Sequence, residues 1–170
     1  MKKTNVQMLC VLATLTACEI VLSRFCSIST WNMKIGFGFA PIALAAILYG
    51  PLPAAAVAGM ADFLGATLFP IGPYFPGFTM TAALTGLTFG IFLYRRQSIL
   101  RAAGAVLIVQ LLLGLLVNSY WIHLISGAPY TALLATRLLQ CLILIPVQFA
   151  GIVIIARSRS VITRAVGNVG

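Results

Sequence analysis

Long apolar stretches dominate this sequence, and blocks of about 20 residues contain no charged side chain, which is the length a helix needs to cross a bilayer. Only 8% of the 170 residues are charged, whereas a soluble domain carries about 25%. No stretch alternates polar and apolar residues in the way that a strand of a membrane barrel would. The sequence therefore predicts an all-α membrane protein.

Hydropathy divides the chain into about six segments. The run YGPLP at Tyr49–Pro53 separates the second segment from the third, because glycine and proline favour a tight turn. Lys2 and Lys3 precede an apolar run, as in a signal peptide, but Glu19 interrupts that run and no small-residue cleavage site follows, so we expect a retained first helix. A single domain, 1–170, is predicted, with six transmembrane helices at about 6–25, 35–49, 54–69, 78–94, 102–124 and 130–156.

The distribution of Lys and Arg predicts the orientation, since cytoplasmic loops are enriched in both. With six crossings both termini fall on one side, which we expect to be the cytoplasm. The net charge of +9 then reflects topology, and no nucleic-acid partner is predicted. The longer connections lie on the other side, so we expect a substrate pocket near the extracellular face. The cytoplasmic cations are Lys2, Lys3, Arg95, Arg96, Arg101, Arg157, Arg159 and Arg164.

Three cations, Arg24, Lys34 and Arg137, fall on the predicted outer half, where the topology rule does not explain them. A charge inside the bilayer costs about 2.5–3.5 kcal/mol, so it usually faces a cavity or a partner. On an ideal helix Arg137 shares one side with Gln140 and Gln148, and such a polar stripe should face inward. Two interpretations of Arg137 are open: hydrogen bonds to backbone carbonyls, or binding of an anion.

The chain has two acidic residues, Glu19 and Asp62, which cannot neutralise the three outer cations. An incoming carboxylate would complete the charge balance, and an arginine could hold it through two parallel hydrogen bonds. An ideal first helix would direct Arg24 away from Glu19, so we expect Arg24 to belong to the loop that follows. For Asp62 we expect a buried hydrogen bond or ion pair that holds the third helix, with a place in the pocket as the alternative.

The segment FPIGPYFPGFT, Phe69–Thr79, is predicted to be a stiff aromatic loop on the outer side. Proline lowers the entropy lost when such a loop closes on a ligand. Tyr74, Phe75 and Phe78 offer ring faces on which a flat heterocycle could stack. The alternative is an aromatic belt at the membrane surface, which fits Tyr120 and Trp121 well.

Motifs for catalysis, metal binding and phosphate binding are absent from the sequence, so neither an enzyme nor a resident cofactor is predicted. Ser119 and His123 lie four residues apart, but a hydrolase would need a third, orienting group. The cysteines form no CxxC pair and are interpreted as small apolar residues that fill space: Cys10, Cys18, Cys26 and Cys141.

The sequence resembles the S components of energy-coupling factor (ECF) vitamin transporters, in particular the folate-specific ones. The resemblance lies in GFGFAPIALAAILYGPLPAAAVAGMADFLGATLFPIGPYFPGFTMTAALTGLTFG, residues 36–90. An AxxxA pair, Ala13 and Ala17, precedes this stretch, and RLLQCLILIPVQ follows it, so that the likeness covers nearly the whole chain.

The resemblance implies a six-helix membrane protein that binds folate outside and hydrolyses no ATP itself. An integral coupling subunit, contacted through Ala13 and Ala17, and two cytoplasmic ATPases would supply the energy. The outer cations would hold the glutamate tail of folate, and the loop aromatics would stack or gate, while Asn118 or His123 would hydrogen-bond the heterocycle. The competing interpretations are an S component for another vitamin, such as biotin or riboflavin, a self-sufficient small transporter, and a structural membrane subunit.

Overall fold

A computed structural model describes residues 2–29, 34–70, 72–94 and 98–158, and these residues form six helical segments, which we number as crossings one to six. A π-helical segment, Ile108–Val117, joins α5 to α6 in one continuous rod. The all-α, six-helix fold expected from hydropathy is therefore confirmed. The α-helices are α1 Lys2–Arg24, α2 Phe39–Tyr49, α3 Pro51–Leu68, α4 Pro76–Leu93, α5 Ile99–Leu107, α6 Asn118–Ser126 and α7 Tyr130–Arg157.

The short helix α2 lies at the centre of the bundle, where it packs against α1, α3, α4 and α7. Five of the six crossings are long and apolar enough to span a membrane, and α2, with 11 residues, is the short one. Ala43, Ala45, Ala46 and Ile47 are each 0% exposed. Protein therefore surrounds α2 on most sides, which is why alanine can occupy so many of its positions.

Glycine and proline set the helix boundaries. Gly50 joins α2 to α3 with φ +92°, a conformation that favours glycine, and Pro51 opens α3 where a missing N–H costs nothing. Pro76 opens α4 in the same way, so the aromatic loop ends at Phe75 and the residues Pro76–Thr79 are helical. At the end of α6, Gly127 has φ +67° and its N–H bonds to the carbonyl of His123 at 2.9 Å.

Helices α3 and α4 form the most extensive helix pair of the described chain. Gly86 and Gly90 of α4 lie one turn apart and face the first turn of α3. A Cβ atom at Gly90 would lie 2.6 Å from the backbone nitrogen of Pro51, and one at Gly86 would lie 2.8 Å from that of Ala55. The two backbones therefore approach closely through a GxxxG motif, as membrane helices commonly do.

A short β-hairpin closes one end of the bundle. Strands β1, Ser27–Ser29, and β2, Lys34–Gly36, pair antiparallel, with Ile28 opposite Ile35. The strand β1 contacts α1 and β2 contacts α7, so the hairpin bridges two helices that are distant in sequence. The second helix was predicted to begin at residue 35, but two glycines, Gly36 and Gly38, disfavour a helix there and α2 begins at Phe39.

We call the end with the hairpin, the aromatic loop and the α6–α7 turn the loop end, and the opposite end, with Gly50, Tyr94 and Arg157, the basic end. The side chains of Lys2 and Lys3 lie outside the described residues. Four more of the predicted cytoplasmic cations also lie outside the described residues: Arg95, Arg96, Arg159 and Arg164.

Candidate functional site

Arg137 lies inside the bundle, about 10 Å from the start of α7. Its side chain is 7% exposed, and its Nε atom is buried without a hydrogen-bond partner. Gln140 and Gln148, which share its side of α7, are each 8% exposed, so the polar stripe faces inward. A buried donor left unpaired costs about 1–3 kcal/mol, so a group that accepts a hydrogen bond here would be bound favourably.

Two polar residues of α6 lie at the same depth as Arg137. Helices α6 and α7 are antiparallel neighbours joined by a short turn, and Ser119 lies about 10 Å from the end of α6. The Oδ1 atom of Asn118 and the Oγ atom of Ser119 are both buried without a hydrogen-bond partner. The helices α6 and α7 therefore present an acceptor, a hydroxyl and a guanidinium donor at one level of the bundle.

Arg24 is the last residue of α1, so the expectation that it belongs to a loop was wrong. Its half-buried side chain crosses to α3, where Nε lies 2.9 Å from the position that a Cβ atom would occupy on Gly65. The absence of a side chain at Gly65 leaves room for the guanidinium group. The Nε atom of Arg24 is also buried without a partner.

Both arginines border the region that the hairpin covers. Arg24 ends the helix that β1 contacts, and Arg137 belongs to the helix that β2 contacts. Lys34 opens β2, but its side chain lies outside the described residues. Glu19 is 8% exposed and packs against Gly38, at the start of α2. Two of the predicted outer cations therefore belong to the two helices that the hairpin contacts.

The aromatic residues of the loop end gather around Gly77, at the start of α4. The ring of Phe75 lies 5.4 Å from that of Trp121 and 6.3 Å from that of Phe78, between centroids. Gly77 leaves the space that the Phe75 and Trp121 rings fill, since its Cβ would lie 2.8 Å from the indole. The indole N–H of Trp121 donates to Thr81 Oγ1 at 3.1 Å. Two helices and the loop thus share one aromatic cluster.

Trp121 was expected in an aromatic belt at the membrane surface, and its part in this cluster was not predicted. The indole is half-buried and hydrogen-bonded across to α4, which a residue of a membrane-surface belt need not be. The small residue Gly77 next to bulky aromatic residues could have indicated a packed ring. It does not identify Trp121 as that ring unless α4 and α6 are known to be adjacent.

Tyr74 is tied to two helices by a chain of hydrogen bonds. Its hydroxyl lies 3.2 Å from Thr79 Oγ1, and Thr79 donates to Asp62 Oδ2 at 2.9 Å. Its ring also meets Phe63 edge-on, with centroids 5.9 Å apart. Asp62 therefore links α3, α4 and the aromatic loop through a hydrogen bond, which agrees with the structural role expected for it.

His123 and Ser119 do not form a pair. His123 Nδ1 lies 2.7 Å from the carbonyl oxygen of Ala128, and its ring meets Tyr130 edge-on at 6.2 Å. Ser119 is 0% exposed, with its hydroxyl directed into the bundle. His123 therefore holds the turn between α6 and α7, and no hydrolytic arrangement is present at these two residues.

Helix α1 presents different residues on its two sides. Ala13 and Ala17 are exposed, together with their small neighbours Thr14 and Cys18, whereas Glu19 is buried on the other side. A stripe of small side chains allows the backbone of another helix to approach closely. The exposed side of α1 is therefore shaped for helix packing and has no partner within the described chain.

Comparisons with known proteins agree with this architecture. Residues 7–156 match the profile of a family described as ECF transporter, substrate-specific component. The folate transporter FolT of Clostridium novyi (strain NT) is 39% identical over 149 residues, which cover 87% of this chain and 86% of the relative. FolT of Leuconostoc mesenteroides subsp. mesenteroides is 32% identical over 153 residues, covering 86% of this chain and 82% of the relative.

A crystal structure of FolT bound with folic acid has the same fold, with a TM-score of 0.84 and 31% sequence identity over 89% of this chain and 94% of that one. The resemblance found in the sequence is thus confirmed, and the chain is a multi-pass bacterial membrane protein of a transporter family. This chain belongs to the family of substrate-specific components of ECF transporters.

Proposed function

We propose that this chain is the folate-binding specificity subunit of an ECF importer, and that it captures folate at the loop end. The relatives named above are folate transporters, and one is bound with folic acid in its crystal structure. Folate combines a flat pterin, a benzoyl ring and a glutamate tail with two carboxylates. The loop end offers aromatic rings, which can stack on the pterin and benzoyl rings, and cationic groups, which can bind the carboxylates.

The observation that carries the proposal is the buried, unpartnered Nε of Arg137. In a bundle with few acidic groups, a carboxylate of the substrate is the natural counter-ion, and two parallel hydrogen bonds would fix its orientation. Arg24 and Lys34 border the same end and would share the charge of the second carboxylate.

The aromatic cluster would receive the flat part of the substrate. Phe75, Phe78 and Trp121 meet at tilted or edge-on angles, which leaves ring faces available for stacking. Tyr74, anchored through Thr79, would act as the outer gate. Asn118 Oδ1 would accept a hydrogen bond from the pterin. His123 is the weaker candidate for this contact, because its Nδ1 atom already lies within hydrogen-bond distance of the Ala128 carbonyl in the α6–α7 turn.

Equilibrium binding of radiolabelled folate, biotin and riboflavin to the purified chain in mild detergent tests this function. We expect saturable folate binding at one site per chain, with no displacement by an excess of biotin or riboflavin. Preference for another vitamin would make the chain an S component of different specificity. Binding of none would favour a structural subunit.

We propose that transport by this chain is driven by partner subunits, as its membership of the ECF transporter family suggests; the sequence contains no phosphate-binding motif for ATP. We propose that the exposed Ala13–Ala17 side of α1 meets the integral coupling subunit, which two cytoplasmic ATPases drive. That side is open to the membrane, and its small side chains permit close packing.

Ala17→Leu is expected to reduce folate uptake by the assembled transporter about tenfold, because an added bulky side chain in a close helix contact costs about 1–3 kcal/mol. Folate binding by the isolated subunit should not change. The matched control is Ala132→Leu, at an exposed alanine of α7. Equal effects of the two substitutions on uptake would contradict a role for the α1 surface.

A further inference from the structure

A cleft opens at the basic end of the bundle, between α4, α5 and α7, far from the proposed folate site. Its volume is about 120 Å³. Two buried apolar residues form its floor, Leu93 and Ala102, which are 0% and 3% exposed. Its lining residues are Leu93, Ser98, Ile99, Ala102, Val153, Ala156 and Arg157.

The rim of this cleft is polar and cationic. Arg157 is exposed in the last turn of α7, and Ser98 precedes α5 without using its hydroxyl as a cap. Next to them Ile99 and Leu100 are 60% and 83% exposed. A cation, a hydroxyl and protruding apolar side chains thus meet at the level where the membrane-crossing helices begin and end.

Neither acidic side chain of the protein can neutralise this end. Asp62 is hydrogen-bonded to Thr79, which lies about 21 Å along α4 from Leu93. Glu19 packs against Gly38, about 18 Å along the second crossing from Gly50. The positive charge at the cleft is therefore open to an external anion.

We propose that this cleft binds the phosphate headgroup of an anionic phospholipid. The phosphate would meet Arg157 and the Ser98 hydroxyl, while the acyl chains would lie along Ile99, Leu100 and the apolar floor. Basic pockets between membrane helices on the cytoplasmic side are suited to such headgroups, each cation near an anionic membrane surface contributing favourably. The site is separate from folate capture and does not depend on it.

Native mass spectrometry of the full-length chain in detergent, titrated with phosphatidylglycerol or with phosphatidylcholine of the same acyl composition, tests this proposal. We expect preferential retention of phosphatidylglycerol. Arg157→Gln should weaken that binding about fivefold. Ala156→Leu, which narrows the cleft without changing charge, should weaken it as well. Arg101→Gln is the matched control, because Arg101 is an exposed arginine at the same end that does not line the cleft.

Thermal unfolding of each variant would show whether the fold is retained, and if Arg157→Gln did not fold, Ala156→Leu would decide the question. An equal loss of phosphatidylglycerol binding in Arg101→Gln and Arg157→Gln would indicate a general attraction of the basic end for anionic lipid and would overturn the proposed site. Equal retention of both lipids would overturn it too. Displacement of phosphatidylglycerol by inorganic phosphate at matched concentration would show that the cleft recognises the anion alone and not a lipid.

Discussion

Arg137→Met is expected to weaken folate binding about 100-fold, because loss of one partner from a buried, hydrogen-bonded charge pair costs about 2–5 kcal/mol. The same substitution should leave the ligand-free protein as stable as before, or more so. The guanidinium Nε has no partner in the described structure, so an apolar side chain of similar length removes a desolvation cost and breaks no Nε bond. Isothermal titration with folate, together with thermal unfolding without ligand, measures both effects.

Gln148→Met serves as the control for Arg137→Met, since Gln148 lies on the same side of α7 but about 16 Å deeper. It should bind folate normally. Arg137→Lys should bind with intermediate strength, because lysine keeps the charge but lacks the planar fork. Unchanged binding by Arg137→Met would refute the proposed charge role, and a loss of stability without ligand would mean that Arg137 holds the fold instead.

Gly90→Ala is expected to be among the most destabilising single methyl additions in this chain. The new Cβ would meet backbone atoms of Pro51, which cannot move aside as the tip of a side chain can. Overpacking of a well-packed interior typically costs about 1–3 kcal/mol, and here the two most extensively packed helices would have to separate. A lower thermal unfolding midpoint, and a lower yield of folded protein in detergent, should result.

The control for Gly90→Ala is Gly59→Ala, which adds the same group between the same two helices. A Cβ at Gly59 would make ordinary contact with Ala83, at 3.4 Å, so the change should be neutral or slightly stabilising. Similar losses in both variants would indicate a general intolerance of α3 and α4 to alanine, and not a close contact specific to Gly90.

The membrane fold and the inward direction of the Arg137 stripe could be predicted because each depends on a regular spacing along one helix. The missed features depend on contacts between segments that are distant in sequence. The side chain of Arg24 packs against α3 because Gly65, 41 residues later, leaves room for it. The hairpin packs between α1 and α7, and α7 begins about 100 residues later in the chain.

The fifth crossing was the hardest to predict in detail. Counting 3.6 residues per turn fails across the π-helical segment Ile108–Val117, so the directions of the Asn118 and Trp121 side chains do not follow from the periodicity of the preceding helix. The sequence contains the GxxxG pair Gly86 and Gly90, but only the structure identifies Pro51 as the residue that Gly90 faces. Local periodicity therefore predicts the helices, but prediction of the site also requires the positions of the helices relative to one another.

The position of Trp121 gives this protein a built-in optical reporter. Its indole contacts Phe75 and bonds to Thr81, at the end of the bundle where the proposed substrate would enter. Indole emission responds to the polarity and the stacking of its surroundings, so occupancy could be followed by intrinsic fluorescence without a label. A Trp31→Phe background would remove the other tryptophan, so that selective excitation of tryptophan would report on Trp121 alone.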